Sequence, residues 1–172
     1  MPSNRSAAYD MIAWLVRHGN KPYESRAVIL GAYNGVIIKA FAQAFLHLYV
    51  VDDGYSDYQC KEPVLGEVSN EAIDPADYER QPNVTMIIGA PEDSWTKRAI
   101  VGPVDFVFFQ YHLSYVPLSR DMIWCSQLQE VKFVAGVLFG CTNSDVKRAV
   151  LGYHGVPDKI FDDYSWIKQI KA

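Results

Sequence analysis

Gly31-Ala32-Tyr33-Asn34-Gly35 and Asp52, which stands 21 residues beyond Gly31, are the residues whose types and spacing best fit ligand chemistry. Gly31 closes the apolar run Ala27 to Leu30, where the absence of a Cβ lets the chain turn sharply. Gly35 falls at a helix start, where backbone can approach a ligand and unpaired amides carry partial positive charge. Asp52 closes the next apolar run, Leu48 to Val51, where an acid accepts hydrogen bonds from both ribose hydroxyls of a nucleoside. Taken singly, the glycine pair reads as a simple turn and the acid as a solvated strand cap; together they favour nucleoside binding. Asp53 either assists Asp52 or is solvated. His112 is the candidate general base, because an imidazole titrating near 6.5 can accept a proton from an attacking hydroxyl. The alternative packs it among Tyr111 and Tyr115. His18, His47 and His154 read as helix-end or surface residues without ligand-like spacing, and Cys141 reads as a small packed hydrophobe. No metal site is expected.

These residues need a scaffold that brings them to one edge. Ala7 to His18 carries apolar residues at helical spacing and ends at Gly19-Asn20. Strands are expected at 27–30, 48–51, 84–88, 104–109 and 133–139, with helices at 36–46, 118–128 and 143–152. A further helix is expected at 94–101, a short one near 73–79 within a loop spanning 55–80, and short strands near 160–161 and 166–167. Apolar strands alternating with helices imply a largely parallel sheet covered on both faces. The expected fold is therefore α/β: a Rossmann-like three-layer α/β/α sandwich with a doubly wound sheet and a shortened C-terminal hairpin. In such sheets the ligand lies beyond the carboxyl ends of the strands, which carry Gly31, Asp52, Gly89, Gln110 and Cys141. One domain is expected over 1–172, with an N-terminal helix in 1–20, the core in 27–155 and a C-terminal edge in 156–172.

Five stretches, in order, carry a family likeness. They are Val28-Ile29-Leu30-Gly31-Ala32-Tyr33-Asn34-Gly35, Leu48-Tyr49-Val50-Val51-Asp52, and Asp105-Phe106-Val107-Phe108-Phe109-Gln110-Tyr111-His112-Leu113-Ser114-Tyr115 followed by Arg120-Asp121. The others are Ala135-Gly136-Val137-Leu138-Phe139-Gly140-Cys141-Thr142 and Asp145-Val146-Lys147-Arg148-Ala149-Val150. From about residue 8 to 155 the chain resembles small class I S-adenosylmethionine-dependent methyltransferases, in the O-methyltransferase-type group whose first motif reads (V/I)-E-I-G-T-Y-x-G. The resemblance implies S-adenosylmethionine as cofactor. Residues 31 to 35 would hold its methionine portion and Asp52 its ribose, with Gly89, Ala90, Pro91 and Glu92 flanking the adenine and Gln110 near the sulfonium. Three departures stand out. Ile29 occupies the position of an acid that contacts the methionine amino group. Gln110, His112 and Leu113 replace a polar run, and Cys141 and Thr142 replace two acids. Those carboxylates hold a divalent cation in metal-dependent members, and hard cations want carboxylate oxygens. Metal-independent methyl transfer to a small-molecule hydroxyl or amine, with His112 as base, is the expectation. A catalytically degenerate relative that only binds cofactor or a partner is the alternative. A nicotinamide-dependent oxidoreductase is disfavoured, because Tyr33 stands where the dinucleotide turn wants glycine.

Composition sets the outer limits. The 172 residues are 49% hydrophobic and 21% charged, with 16 basic against 20 acidic residues and a net charge of -4. A chain of this size buries about two-thirds of its unfolded surface. No basic face large enough for nucleic acid is expected, since such binding rests on clustered Lys and Arg. Three cysteines, Cys60, Cys125 and Cys141, form neither a disulfide framework nor a zinc motif. The run from Val36 to Val51 is interrupted by Lys39, Gln43 and His47, so no bilayer span of roughly 20 apolar residues is expected. A small-molecule partner, no nucleic acid, no membrane, a cytoplasmic location and a homodimer covering the curtailed C-terminal edge complete the expectations.

Overall fold

Strands form where the sequence runs apolar for four to six residues between turn residues, and helices where apolar residues recur every three to four. The computed structural model describes residues 4–31, 36–52, 81–89, 91, 98–110, 115–128, 130–137, 139, 144–162 and 164–171. Its helices are α1 (Asn4–Arg17), α2 (Val36–Ala44), α3 (Tyr115–Ser126) and α4 (Ser144–Tyr153), with a short 3-10 turn at Pro22–Glu24. The strands are β1 (Arg26–Leu30), β2 (His47–Asp52), β3 (Val84–Ile88), β4 (Phe106–Phe109), β5 (Phe133–Gly136), β6 (Lys159–Ile160) and β7 (Trp166–Gln169).

The strands make one seven-stranded sheet in the order β3-β2-β1-β4-β5-β7-β6. The pairs from β3 to β5 are all parallel; β7 runs antiparallel to both β5 and β6. Strand alternation divides the core between two faces. Ala27, Ile29, Leu48, Val50, Phe106, Phe108 and Ala135 pack with Met11, Trp14 and Leu15 of α1 and Ile37, Ile38 and Phe41 of α2. Val28, Leu30, Val51, Val107, Phe109 and Val134 pack with Leu118, Met122 and Cys125 of α3 and Val146, Ala149 and Val150 of α4. Helices on both faces of a mostly parallel sheet make the three-layer, Rossmann-like fold that the sequence predicts.

Aromatic packing anchors the first face. Phe41 meets Phe45, Phe106 and Phe108 edge-on, with ring centroids 5.6 to 5.7 Å apart. Such pairs contribute about 0.5–1.5 kcal/mol each beyond simple burial. Asn83, in the turn before β3, donates from Nδ2 to Ala42 O at 2.7 Å and Phe45 O at 3.1 Å. It thereby satisfies carbonyls that the end of α2 leaves without intrahelical partners. This contact ties α2 to the outer strand.

Boundaries differ from expectation at two places that bear on function. α3 begins at Tyr115, three residues before the expected Leu118, with Pro117 in its first turn, where a missing N–H costs no helical hydrogen bond. β5 ends at Gly136 rather than continuing to Phe139. A Cβ on Gly136 would lie 2.8 Å from Trp166 Nε1 and 2.9 Å from Phe109 O, so β4 and β7 close tightly over this residue. The expected helix near 73–79 and the loop 55–80 lie outside the described residues. The expected helix at 94–101 does so in large part, with Arg98 and Ala99 helical.

Candidate active site at the carboxyl edge

Three backbone hydrogen bonds extend the parallel ladder one residue past the strand ends and fix the edge. Gly31 N donates to Val51 O at 2.8 Å, Gly89 N to Asp52 O at 2.8 Å, and Gln110 N to Leu30 O at 3.0 Å. Gly31, Asp52, Gly89 and Gln110 therefore stand side by side at the carboxyl ends of β1, β2, β3 and β4. Gly31 has φ +106°, a backbone state that side chains with a Cβ rarely adopt. The turn after β1 thus requires glycine, as the sequence reading supposes. α2 starts at Val36, so its N-terminal end lies at this same edge.

Asp52 is 2% exposed although it ends a strand. A solvated cap would be open to water, so burial favours a group held for a purpose, and Asp52 already takes part in an interaction within the protein. Pro91 is buried in the turn after β3. Gln110 is 7% exposed, and its Oε1 is buried with no hydrogen-bond partner among the described residues. A buried amide oxygen in that state costs about 1–3 kcal/mol unless a donor reaches it. Ala32, Tyr33, Asn34, Gly35, Asp53, Ala90, Glu92 and His112 lie outside the described residues, as do Cys141 and Thr142.

Ile29, at the position where the resemblance would place an acid, is fully buried among the α1 and α2 side chains. Its side chain belongs to the core. Among the described residues no three His, Cys, Asp or Glu side chains cluster as a metal site. Cys125 is an unpaired thiol inside the α3 layer; burial, then the Asp121 carboxylate, push its pKa up to about 12. It is held as a thiol and acts as a small apolar group.

The other half of the edge carries groups that sequence spacing did not single out. Trp166, the first residue of β7, pairs with Gly136 at the end of β5, which pairs with Phe109 at the end of β4. The Trp166 ring stacks on Phe109 with centroids 6.4 Å apart and planes 13° apart. His154, just past α4, packs against both: 6.2 Å from Phe109 and 6.4 Å from Trp166. Burial, then the Lys168 ammonium, pull His154 down from 6.5 to about 4, so its ring is neutral at pH 7. The helix-end position of His154 is legible in the sequence; its neighbours come from strands that only the sheet order unites. His47, at the opposite end of β2, bonds Thr85 Oγ1 at 2.7 Å and packs against the Tyr49 ring at a tilt of 52°. It serves packing at the amino edge.

No family model and no curated protein matches this sequence. Solved structures do match. Calicheamicin methyltransferase CalS11 superposes with TM-score 0.63 at 11% identity, over 98% of this chain and 79% of that one. The methyltransferase domain of a bacterial Hen1 gives TM-score 0.54 at 10% identity, over 97% and 99%. Magnesium protoporphyrin IX methyltransferase from Synechocystis PCC 6803, solved with bound S-adenosylhomocysteine, gives TM-score 0.52 at 16% identity, over 95% and 81%. At these identities the likeness concerns the fold.

Proposed function

We propose, from the class I S-adenosylmethionine-dependent methyltransferase fold that this chain carries, that it transfers a methyl group from S-adenosylmethionine to a small-molecule hydroxyl or amine. The observation that carries this reading is the buried Asp52 carboxylate at the end of β2, laddered between the glycine turn of β1 and Gly89 of β3. A carboxylate in that position accepts hydrogen bonds from a ribose diol. The residues fit the cofactor at its adenosine end: Asp52 for the ribose, and Gly89, Ala90, Pro91 and Glu92 beside the adenine. Gly31 and residues 32 to 35 would lie against the methionine portion, with Gly31 making the turn that lets backbone come close. The bound cofactor supplies an electrophilic sulfonium methyl.

What the chain contributes is mainly placement, since transfer needs a nucleophile held in line with that methyl. Gln110 Oε1, buried and without a partner among the described residues, is an acceptor ready for an N–H or O–H donor at the centre of the edge. His112 would accept the proton of a hydroxyl nucleophile. Gln110 is an amide where a cation site would want a carboxylate, in keeping with metal-independent transfer. The small-molecule assignment follows the acidic balance of the chain and two matched structures, whose names specify calicheamicin and magnesium protoporphyrin IX.

Calorimetry with S-adenosylmethionine and S-adenosylhomocysteine tests the reading directly. Saturable heat at micromolar ligand is expected; no heat at millimolar ligand sinks it. A second reading, a degenerate relative that binds cofactor without transferring methyl, is favoured by Ile29. Its burial in the core leaves no acid at that point for the methionine amino group. Binding without turnover across a panel of hydroxyl and amine acceptors would select it.

A further inference from the structure

Gln110 Oε1 is buried at the carboxyl end of β4 with no hydrogen-bond partner among the described residues, on a side chain that is 7% exposed. The strand order β3-β2-β1-β4-β5 reverses between β1 and β4, and open α/β sheets take their ligand at such a reversal. Gln110 stands at that point: Leu30 pairs with Phe109, and Gln110 N donates to Leu30 O at 3.0 Å. The next residue of β1 is Gly31, which turns the chain at φ +106° and has no side chain to cover the carboxamide. With a ribose on Asp52 at the end of β2, β4 lies two strands away, about 10 Å at the usual spacing. A cofactor held on Asp52 therefore extends its reacting end over Gly31 toward Gln110.

A carboxamide oxygen accepts hydrogen bonds but, unlike a carboxylate or an imidazole, takes up no proton near neutral pH. That property separates the two acceptor classes. A hydroxyl has one hydrogen, which it surrenders on attack, leaving the buried oxygen unpaired in the transition state. An amine attacks through its lone pair while an N–H stays on the oxygen. Positive charge growing on the nitrogen strengthens that bond, so the contact favours the transition state over the ground state. We propose, resting on the methyl transfer read above, that Gln110 Oε1 binds an N–H of the acceptor and that the acceptor is an amine. The nitrogen lone pair forms the new C–N bond as the S–C bond breaks, its electron pair leaving with sulfur as a thioether. The resulting ammonium then releases a proton to water, and no base is needed before attack.

Sinefungin carries an amino-bearing carbon in place of the methylated sulfur, which puts N–H donors at the transfer position. By calorimetry on the full chain it is expected to bind about tenfold or more tighter than S-adenosylhomocysteine, as for a hydrogen bond to a charged donor. Gln110→Met keeps the length and removes the acceptor; it is expected to erase that preference and leave S-adenosylhomocysteine affinity within about twofold. Gln110→Glu, which restores an acceptor, is expected to keep the preference. No preference in the wild type, or one that survives in Gln110→Met, overturns the proposal while cofactor binding stands. Failure of S-adenosylhomocysteine to bind at all overturns the earlier reading as well. Should Gln110→Met fail to fold, wild-type crystals with sinefungin decide. An amino nitrogen within about 3.2 Å of Oε1 supports the contact, and a longer separation overturns it. Benzylamine against benzyl alcohol, with S-adenosylmethionine as donor, then tests the acceptor class. N-methylation at least about tenfold faster than O-methylation is expected; equal or reversed rates, or no product from either, overturn the amine assignment.

Discussion

The β3-β2-β1 half of the carboxyl edge and the β4-β5-β7 half are built by different means. In the first, the residues offering chemistry follow directly on apolar strands: Gly31 after β1, Asp52 ending β2, Gly89 after β3, locked by backbone bonds of 2.8 Å. In the second, Gln110 and Trp166 come from segments 56 residues apart in sequence, His154 packs on Phe109 and Trp166 from beyond the end of α4, and all three keep buried polar atoms without partners among the described residues. A nucleoside presents its diol and ring in one fixed arrangement, which short local spacing can meet. The second half is assembled by an antiparallel strand and a helix end, so its chemistry can change without disturbing the parallel ladder. On the function proposed above, the first half holds the invariant cofactor and the second faces a variable acceptor.

The most severe way to challenge this contrast is to put an acid into the first half's interior. Ile29→Glu buries a charge among α1 and α2 side chains and is expected to cost about 4 kcal/mol or more, read from the urea midpoint against Ile29→Val, which should cost about 1 kcal/mol. A loss below about 1 kcal/mol for the glutamate would mean that position 29 reaches the ligand edge after all.

A somewhat smaller effect is expected from acid in the second half. Because His154 titrates near 4 in the folded chain and near 6.5 unfolded, the unfolded state binds more protons between those values. Its contribution is therefore fully present above about pH 6.5 and is lost as the pH falls toward 4, by up to about 3 kcal/mol. Carboxylates titrate in the same window, so the measurement is the difference in pH slope between wild type and His154→Phe. Equal slopes would place His154 in solvent.

Smallest of the three, Asp52→Asn keeps shape and removes charge from the first half. S-adenosylmethionine affinity is expected to drop about tenfold or more, about 1.4 kcal/mol or above, as for a lost charged hydrogen bond. Unfolding should move less than this. Unchanged affinity by calorimetry would move the ribose contact elsewhere and dissolve the distinction between the halves.

Much of the architecture can be read from residue order. Buried parallel strands announce themselves as short apolar runs, and Val84–Ile88 is delimited to the residue because Asn83 and Gly89 bracket it. Gly31 and Asp52 are legible for the same reason: each closes such a run. Residues 115 to 117 are less legible, because a proline in a first helical turn looks like a boundary. Trp166 and His154 leave no periodic signal, since a four-residue strand and a helix-end histidine look alike in most sequences.

The sequence by itself determined the alternation of strands and helices, the glycine turn and the acid that follows it, because hydrophobic period and turn chemistry act over neighbouring residues. Only the tertiary structure decided that Ile29 is core, that β5 stops at Gly136, and that Trp166, Phe109 and His154 share one patch. Those outcomes depend on which strands lie adjacent and in which direction β7 runs. Close packing across the sheet, felt only once 7 strands are assembled, fixes them.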